Sequence, residues 1–415
     1  MTHYKPGRKQ RVTRLTRERS RLLLVVNGGS SSIKFALFPA AVPGQKIASG
    51  KVERIGLAGA TLTVRKGNEI AIATNIDARD HRKAIHVLLN WLDSQDLLKE
   101  LGFVAHRVVH GGPDYSETHW ITAVLLEGLR RFRAFDPEHL PSEIALIEEI
   151  RRRAPSLKQV ACFDTAFHRY LPAIARTLPL PRRYFEKGIR RYGFHGLSYA
   201  YLLNELKQRA GAKAARGRLI LAHLGNGASM AAVLHGRCID TTMSFTPNSG
   251  LVMSTRSGDL DPGLFAYFSK AEGMTPAQFD VMTHAESGLL GISGISSDVR
   301  DLLEVEKQEP SAAEALAIFC YRVSKTMGAL SVALGGLDAI VFSGGIGENS
   351  VELRERICGR LGHLGARLDA KRNREGDSII SSVHSRVKVW VIPTDEELQI
   401  ARNVSALLGQ NKMKG

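Results

Sequence analysis

The sequence predicts an α/β protein made of two duplicated halves. An apolar run, a turn of Asn, Gly and Ser, and a second apolar run make up "RLLLVVNGGSSSIKFALF" (21–38), and the same order recurs in "RLILAHLGNGASMAAVLHGRCIDTT" (218–242). Asn27 and Asn226 therefore head blocks about half a chain apart, a spacing that suggests internal duplication. Between them, short apolar strands ending in polar clusters alternate with stretches of helical period, the arrangement in which open α/β folds carry ligands. The length, 415 residues with 44% hydrophobic and 24% charged, exceeds what one core supports and sets two domains as the expectation.

Residues 1–21 come first and stand apart. They hold eight Lys and Arg against one Glu, close to half of the net charge of +16. With no apolar periodicity they read as a disordered tail, ahead of two alternatives: a segment that binds nucleic acid or an anionic surface, and an upstream mis-called start. The remaining charge is spread thinly. Asn-Gly and Gly-Gly are ordinary hairpin pairs, so Asn27–Ser32 reads as a turn between two strands. A helix does not follow either turn, which excludes a Walker loop and a dinucleotide fingerprint.

Residues 81–101 carry helical period through Ile85, Leu88, Leu89, Leu92 and Leu97. Short strands follow in "FVAHRVVHGG" (103–112) and, after the turn "RRAPSL" (152–157), in "QVACFDTAFH" (159–168). Residues 311–334 read as an Ala- and Leu-rich core helix, and "DAIVFSGGIGENS" (338–350) as a strand, a glycine turn and the start of a helix. In "VKVWVIPTDEE" (387–397) a strand meets a helix that Thr394 and Glu397 would open as a capping box, leaving Glu396 unexplained by capping. The longest apolar runs fall far short of a membrane span, and no secretory h-region is present. Cys162, Cys238, Cys320 and Cys358 are scattered without a C-x-x-C pair and read as reduced cytosolic thiols, so the expected location is cytoplasmic.

The residues that bear chemistry sit at these strand ends. Gly344, Gly345 and Gly347 follow a strand, where backbone N–H groups approach phosphate closely, although such glycines also serve plain turns. Arg107 and Arg256 are planar forks matched to carboxylate or phosphate oxygens, although a lone arginine more often makes a surface ion pair. Asp164 and Glu396 suit Mg²⁺, which takes one or two carboxylates plus substrate phosphates. His195 and His139 complete the set. No triad, zinc site or covalent nucleophile with its base emerges; the constellation is one for handling phosphate.

The strings "VVNGGSSSIKFALF", "AHRVVHGG", "FDTAFH", "RRYGFHGLSY", "AHLGNGAS", "FTPNSGLVMSTRSGDLDPG", "FSGGIGENS" and "IPTDEELQIAR", in that order from about Leu22 onward, resemble the acetate kinase family. The resemblance implies two duplicated RNase H-like domains of the acetate/sugar kinase, Hsp70 and actin superfamily, with an active-site cleft between them. It implies ATP- and Mg²⁺-dependent phosphorylation of a short-chain carboxylate (Mn²⁺ being an alternative ion), run reversibly with ADP by a homodimer. By position, Asn27, Arg107, Asp164, His195, Arg256 and Glu396 match active-site residues, with His139 as an accessory histidine. Among these, Asn27 and Glu396 stand for the metal, and His195 and Arg256 for stabilising the transferring phosphoryl group, joined by Asn226. Nucleotide contacts fall on Asn27, Ser30, Ser32, Lys34, His223, Gly225, Asn226, Gly227, Asp298, Arg300, Gly344, Gly345, Gly347 and Asn349. Arg107, Val109, Phe194 and Pro247 match the substrate site, the last three its apolar wall. The expected domains are 22–164, completed by 397–415, and a nucleotide-binding and dimerisation domain at 165–396.

Three places depart from the family pattern and bear on acyl preference. Glu138 stands where an apolar residue lines the alkyl pocket, "HGLSY" puts Leu197 and Tyr199 where Thr and His are usual, and Asn248-Ser249 alters the loop before Arg256. Acetate is the expected substrate, with propionate or butyrate the alternative, since one methylene is worth only about 1–3 kcal/mol. A non-enzymatic nucleotide switch on the same fold is disfavoured, because a switch needs no carboxylate-binding arginine pair. Nucleic acid has only the basic tail to recommend it.

Overall fold

The computed structural model describes residues 21–29, 31–67 and 69–410; the expectations for the basic tail and for Ser30 lie outside these. The described chain forms two compact units, one running through Ala166 and resuming at Asp395, the other spanning Phe167–Thr394.

The first unit is built on an eight-stranded sheet: β1 (Leu22–Gly28), β2 (Ser32–Pro39), β3 (Ala48–Glu53), β4 (Thr61–Lys66), β5 (Glu69–Asn75), β6 (Leu101–Val108), β7 (His119–Trp120) and β8 (Lys158–Phe163), in the order β5-β4-β3-β2-β1-β6-β8-β7. Every residue of Leu22–Val26 is buried, as expected of a central strand covered on both faces. Leu22, Leu24 and Val26 share a core with Ala84, Ile85, Leu88 and Leu92 of the helix His81–Ser94, whose first turn Asp80 caps through the Lys83 N–H. The helix Leu140–Arg153 lies between two cores, giving Leu146 and Ile150 to this one and Leu140, Ile144 and Ile147 to another with Val108 and Phe163.

The second unit carries a five-stranded sheet of β9 (Leu219–Leu224), β10 (Ala228–Leu234), β11 (Arg237–Thr241), β12 (Ala339–Ser343) and β13 (Lys388–Val391), ordered β11-β10-β9-β12-β13. The helix Gly196–Ala214 brings Tyr199, Leu202 and Leu206 into a core with Leu219, Leu221 and Val341. The duplication is visible in the topology. In each unit a strand pairs antiparallel with its hairpin partner and parallel with a later strand, β1 with β2 and β6, β9 with β10 and β12. The series β3-β2-β1-β6-β8 and β11-β10-β9-β12-β13 have the same order and the same directions.

Three local expectations need correction. The stretch 81–101 is two helices, His81–Ser94 and Leu97–Glu100, parted at Asp96, which adopts a left-handed backbone (φ 57). "GGIGEN" is itself a short helix, Gly344–Asn349, rather than a turn. The C-terminal helix Glu396–Gln410 is capped by Asp395, which accepts from the Leu398 N–H at 2.9 Å, while the Thr394 hydroxyl is drawn to Ser198 Oγ (2.9 Å). Glu397 lies 3.7 Å from Lys46.

Candidate active site

Parallel neighbours present their C-terminal ends on one edge of a sheet, where α/β folds place ligands. In the first unit that edge collects Asn27 from the end of β1, Arg107 from β6 and Asp164 directly after β8. Arg107 donates to Asp164 Oδ2 through Nε (3.1 Å) and Nη2 (2.5 Å) and to Asn27 Oδ1 through Nη1 (3.3 Å). Glu396, first residue of the C-terminal helix, approaches Arg107 Nε at 4.0 Å. Asp164 is fully buried, and its Oδ1 has no hydrogen-bond partner among the described residues. A buried carboxylate oxygen left unmatched is costly unless a ligand completes it.

The electrostatics reflect three carboxylates around one guanidinium. Burial alone would lower the pKa of the Arg107 guanidinium, but Asp164 and Glu396 more than reverse this, so it stays charged. Burial, reinforced by Asp164 and only partly offset by Arg107, raises Glu396 to about 7. Burial likewise pushes Glu143 up to about 8. Sequence reasoning missed Glu143, which accepts the Val109 N–H at 3.1 and 3.2 Å and so fixes the backbone of an expected substrate-wall residue. The hairpin turn is closed by the Gly29 N–H to Ser32 O (2.7 Å) and clamped by His81 Nε2 donating to Gly29 O (2.7 Å). Lys34 pairs in register with Asn27 and is exposed; its charge counters part of the rise at Glu396. His139 is held by Asp136, which lies 2.9 Å from its Nδ1 and also accepts its N–H. Glu138 is half-buried beside it.

In the second unit His195 adopts a left-handed backbone (φ 56, ψ 24), which costs a non-glycine residue on the order of 1 kcal/mol and marks a constrained position. Its Nδ1 lies 2.8 Å from Ser229 Oγ, and its ring stacks on His223 with centroids 4.3 Å apart. His223 is fixed in turn by Ser198 Oγ, 2.9 Å from its Nδ1. The turn Gly225-Asn226-Gly227 leaves Asn226 exposed and is closed by Gly225 N–H to Gly227 O (3.1 Å). A Cβ on Gly227 would come within 3.3 Å of His195 Nε2 and 3.6 Å of Arg256 Nη1, so both groups border this turn. Arg256 Nη1 donates to Pro247 O (3.4 Å), so Pro247 meets the arginine through its carbonyl. Phe194 is buried and accepts from His168 Nε2 (2.9 Å).

Gly344 requires its residue type: φ is 76, and a Cβ would lie 2.6 Å from Leu224 O. This packs the helix Gly344–Asn349 against the end of β9, with Gly345 N 3.7 Å from where a Gly225 Cβ would stand. Two side chains missed by sequence reasoning hold the segment. Glu348 Oε1 accepts from the Gly344 N–H (2.8 Å), Ser343 Oγ (3.2 Å) and the Thr394 N–H (3.1 Å). Buried Arg354 donates to Gly347 O (3.0 Å) and Glu348 O (2.9 Å). Asn349 turns back to Gly345 O (2.9 Å). Asp298 caps the helix Val299–Val305 and pairs with exposed Arg300 (2.6 Å). The departures also have places: Leu197 and Tyr199 are buried, Tyr199 with its hydroxyl on Ser229, and Ser249 Oγ accepts the Ser244 N–H (2.8 Å).

All four cysteines are free and buried, and no helix among the described residues is long and apolar enough to cross a membrane.

The model of the Acetokinase family matches residues 22–402. An acetate kinase of Rhodopseudomonas palustris (strain TIE-1) is 44% identical over 391 residues, covering 93% of this chain and 98% of that protein. A propionate kinase of Citrobacter rodentium (strain ICC168) is 41% identical over 391 residues, covering 93% and 96%. The crystal structure of a propionate kinase from Francisella tularensis subsp. tularensis SCHU S4 superposes with a TM-score of 0.87 at 36% identity, over 92% of this chain and 98% of that one. The fold is the duplicated actin-like ATPase fold of these kinases. The chain belongs to the acetokinase family.

Proposed function

We propose that this protein transfers the γ-phosphoryl group of ATP to acetate, reversibly, by direct in-line displacement. One carboxylate oxygen bonds to phosphorus as the bond to the ADP oxygen breaks, giving acetyl phosphate and ADP. The observation that carries the reading is Arg107: a guanidinium fixed by Asp164 and Asn27 at a sheet edge, in a family whose members phosphorylate carboxylates.

A carboxylic acid is already ionised at pH 7, so no general base is required. The chemical demand is for orientation and for stabilising charge on the equatorial oxygens of a metaphosphate-like transition state. Arg107 orients the acetate carboxylate. Arg256, His195 and Asn226 donate to the transferring phosphoryl group. Gly225, Gly227, Gly344, Gly345, Gly347 and Asn349 line the nucleotide, with Asn27, Ser32, Lys34, His223, Asp298 and Arg300 as its further contacts. Val109, Phe194 and Pro247 wall the methyl group, and His139 assists from its place on Asp136.

The donor set fits Mg²⁺, with Mn²⁺ as a substitute. Asp164 Oδ1 is buried without a partner, and burial together with the neighbouring Asp164 raises the Glu396 carboxyl to about 7, a cost to its anion that a hard cation would offset. Asn27, Glu396 and Asp164 would hold the ion, in part through water. When bound it supplies charge neutralisation on the phosphate oxygens. A homodimer in the cytoplasm belongs to the same proposal, resting on family resemblance and on the unoxidised cysteines.

Propionate is the second reading, favoured by the 41% identity to a propionate kinase. A hydroxylamine-trapping assay with ATP and Mg²⁺ over acetate, propionate and butyrate tests both. The greatest kcat/KM is expected with acetate; propionate ranking first moves the assignment to the second reading, and no acyl hydroxamate from any acid refutes the enzyme.

A further inference from the structure

We propose that Tyr199 is a positioning residue for His195, acting through Ser229 to hold the imidazole in the tautomer that donates from Nε2. The inference rests on the phosphoryl-transfer reading and deepens it. Tyr199 follows His195 by one helical turn, its N–H donating to His195 O at 3.0 Å. Its hydroxyl hydrogen-bonds Ser229 Oγ, and the same oxygen lies 2.8 Å from His195 Nδ1. Tyr199 and Ser229 are both fully buried. The phenol ring is fixed by Phe167 (centroids 5.7 Å) and by His168, which meets it edge-on at 5.8 Å. Three consecutive polar groups thus form a chain whose far end has little freedom to turn.

The polarity of the chain follows from donor strength. A phenol, with a pKa near 10, is a far better donor than an aliphatic hydroxyl. Tyr199 therefore donates to Ser229, and the Ser229 proton turns to His195 Nδ1. That nitrogen is then an acceptor, so the ring proton sits on Nε2. Nε2 is the atom beside Gly227, near Arg256 Nη1. A neutral imidazole held in this way presents N–H to a phosphoryl oxygen. The neighbouring residue repeats the device: Ser198 Oγ lies between Thr394 Oγ1 and His223 Nδ1, each at 2.9 Å, and the two imidazoles stack. Two successive residues of one helix thereby orient a pair of rings, each by its Nδ1.

The test is Tyr199→Phe, which keeps the ring and deletes the hydroxyl. Losing one positioning hydrogen bond is expected to lower kcat about tenfold, with KM for acetate and ATP within about twofold and the melting temperature close to that of the parent. In a His195→Ala background the same change is expected to lower kcat no further, because its effect passes through the imidazole. A purely structural tyrosine would give independent, multiplying losses, and that outcome overturns the proposal, as does a Tyr199→Phe enzyme with parental kcat. Where Tyr199→Phe does not fold, Ser229→Ala takes its place under the same two criteria. NMR of the imidazole nitrogens gives a readout independent of turnover: a neutral ring protonated at Nε2 is expected in the full-length protein, and protonation at Nδ1 overturns the assignment. Inactivity of the parent towards every acid would instead refute the phosphoryl-transfer reading, leaving the tautomer measurement to judge the chain.

Discussion

Glu396→Gln should stabilise the metal-free protein while disabling it. Burial and the neighbouring Asp164 raise the Glu396 carboxyl from 4.5 to about 7. In the unfolded chain the group titrates near its ordinary value, so between pH 4.5 and 7 the folded state binds more protons than the unfolded state. Stability present at pH 4.5 is therefore lost as pH rises through about 7. A displacement of that size corresponds to roughly 3 kcal/mol, an upper value, because Arg107 lies only 4.0 Å away and responds to the same charge. Glutamine has nearly the same shape and does not ionise. The variant and the parent should melt together at pH 4.5, and at pH 8 the variant should melt about 2 °C higher, as about 2 kcal/mol produces in a protein of 415 residues. Melting curves of both, with EDTA, across pH 4.5–8 measure the difference directly. Adding Mg²⁺ at pH 8 should raise the parent's melting temperature more than the variant's. Equal melting temperatures at pH 8, or a gap that widens toward acid, would refute the claim that Glu396 is a strained anion awaiting a cation.

Arg256→Ala should reduce kcat by about a hundred- to a thousandfold, the range for removing one preorganised donor, with an unchanged melting temperature; steady-state kinetics and a melt decide it. Gly344→Ala places a Cβ 2.6 Å from Leu224 O at a φ of 76, so it should lower stability by more than about 1 kcal/mol and weaken ADP binding measured by calorimetry. Arg354→Ala removes the donor to Gly347 O and Glu348 O. It should raise KM for ATP severalfold while leaving KM for acetate nearly unchanged, because the helix Gly344–Asn349 loses its anchor.

How much was legible in the sequence depends on how local each cause is. The two strand–turn–strand units could be read because continuous apolar runs and Asn-Gly turns are set by neighbouring residues. Arg107 and Asp164 could be singled out because strand ends carry the chemistry of α/β sheets, and the structure does bring them together. The glycine segment was misread because glycines weaken helix propensity; Glu348 and Arg354 override it by binding its first N–H and its last carbonyls. The capping box failed for a similar reason: Thr394 is claimed by Ser198, far away in sequence, and Asp395 caps in its place. Glu143 and Ser229 left no local signal at all. Each matters through tertiary hydrogen bonds, Glu143 to Val109 and Ser229 to His195 and Tyr199, and no spacing in the chain announces such bonds. Tyr199 was visible only as a departure from the family pattern; its meaning came from where its hydroxyl lies.

The most direct test of the account is phosphorus NMR of the purified protein with acetyl phosphate, ADP and Mg²⁺. ATP is expected to appear as acetyl phosphate disappears, and Arg107→Ala and Arg256→Ala are each expected to suppress this exchange while remaining folded. Stoichiometric loss of acetyl phosphate to inorganic phosphate without ATP, or undiminished ATP formation by either arginine variant, would contradict it.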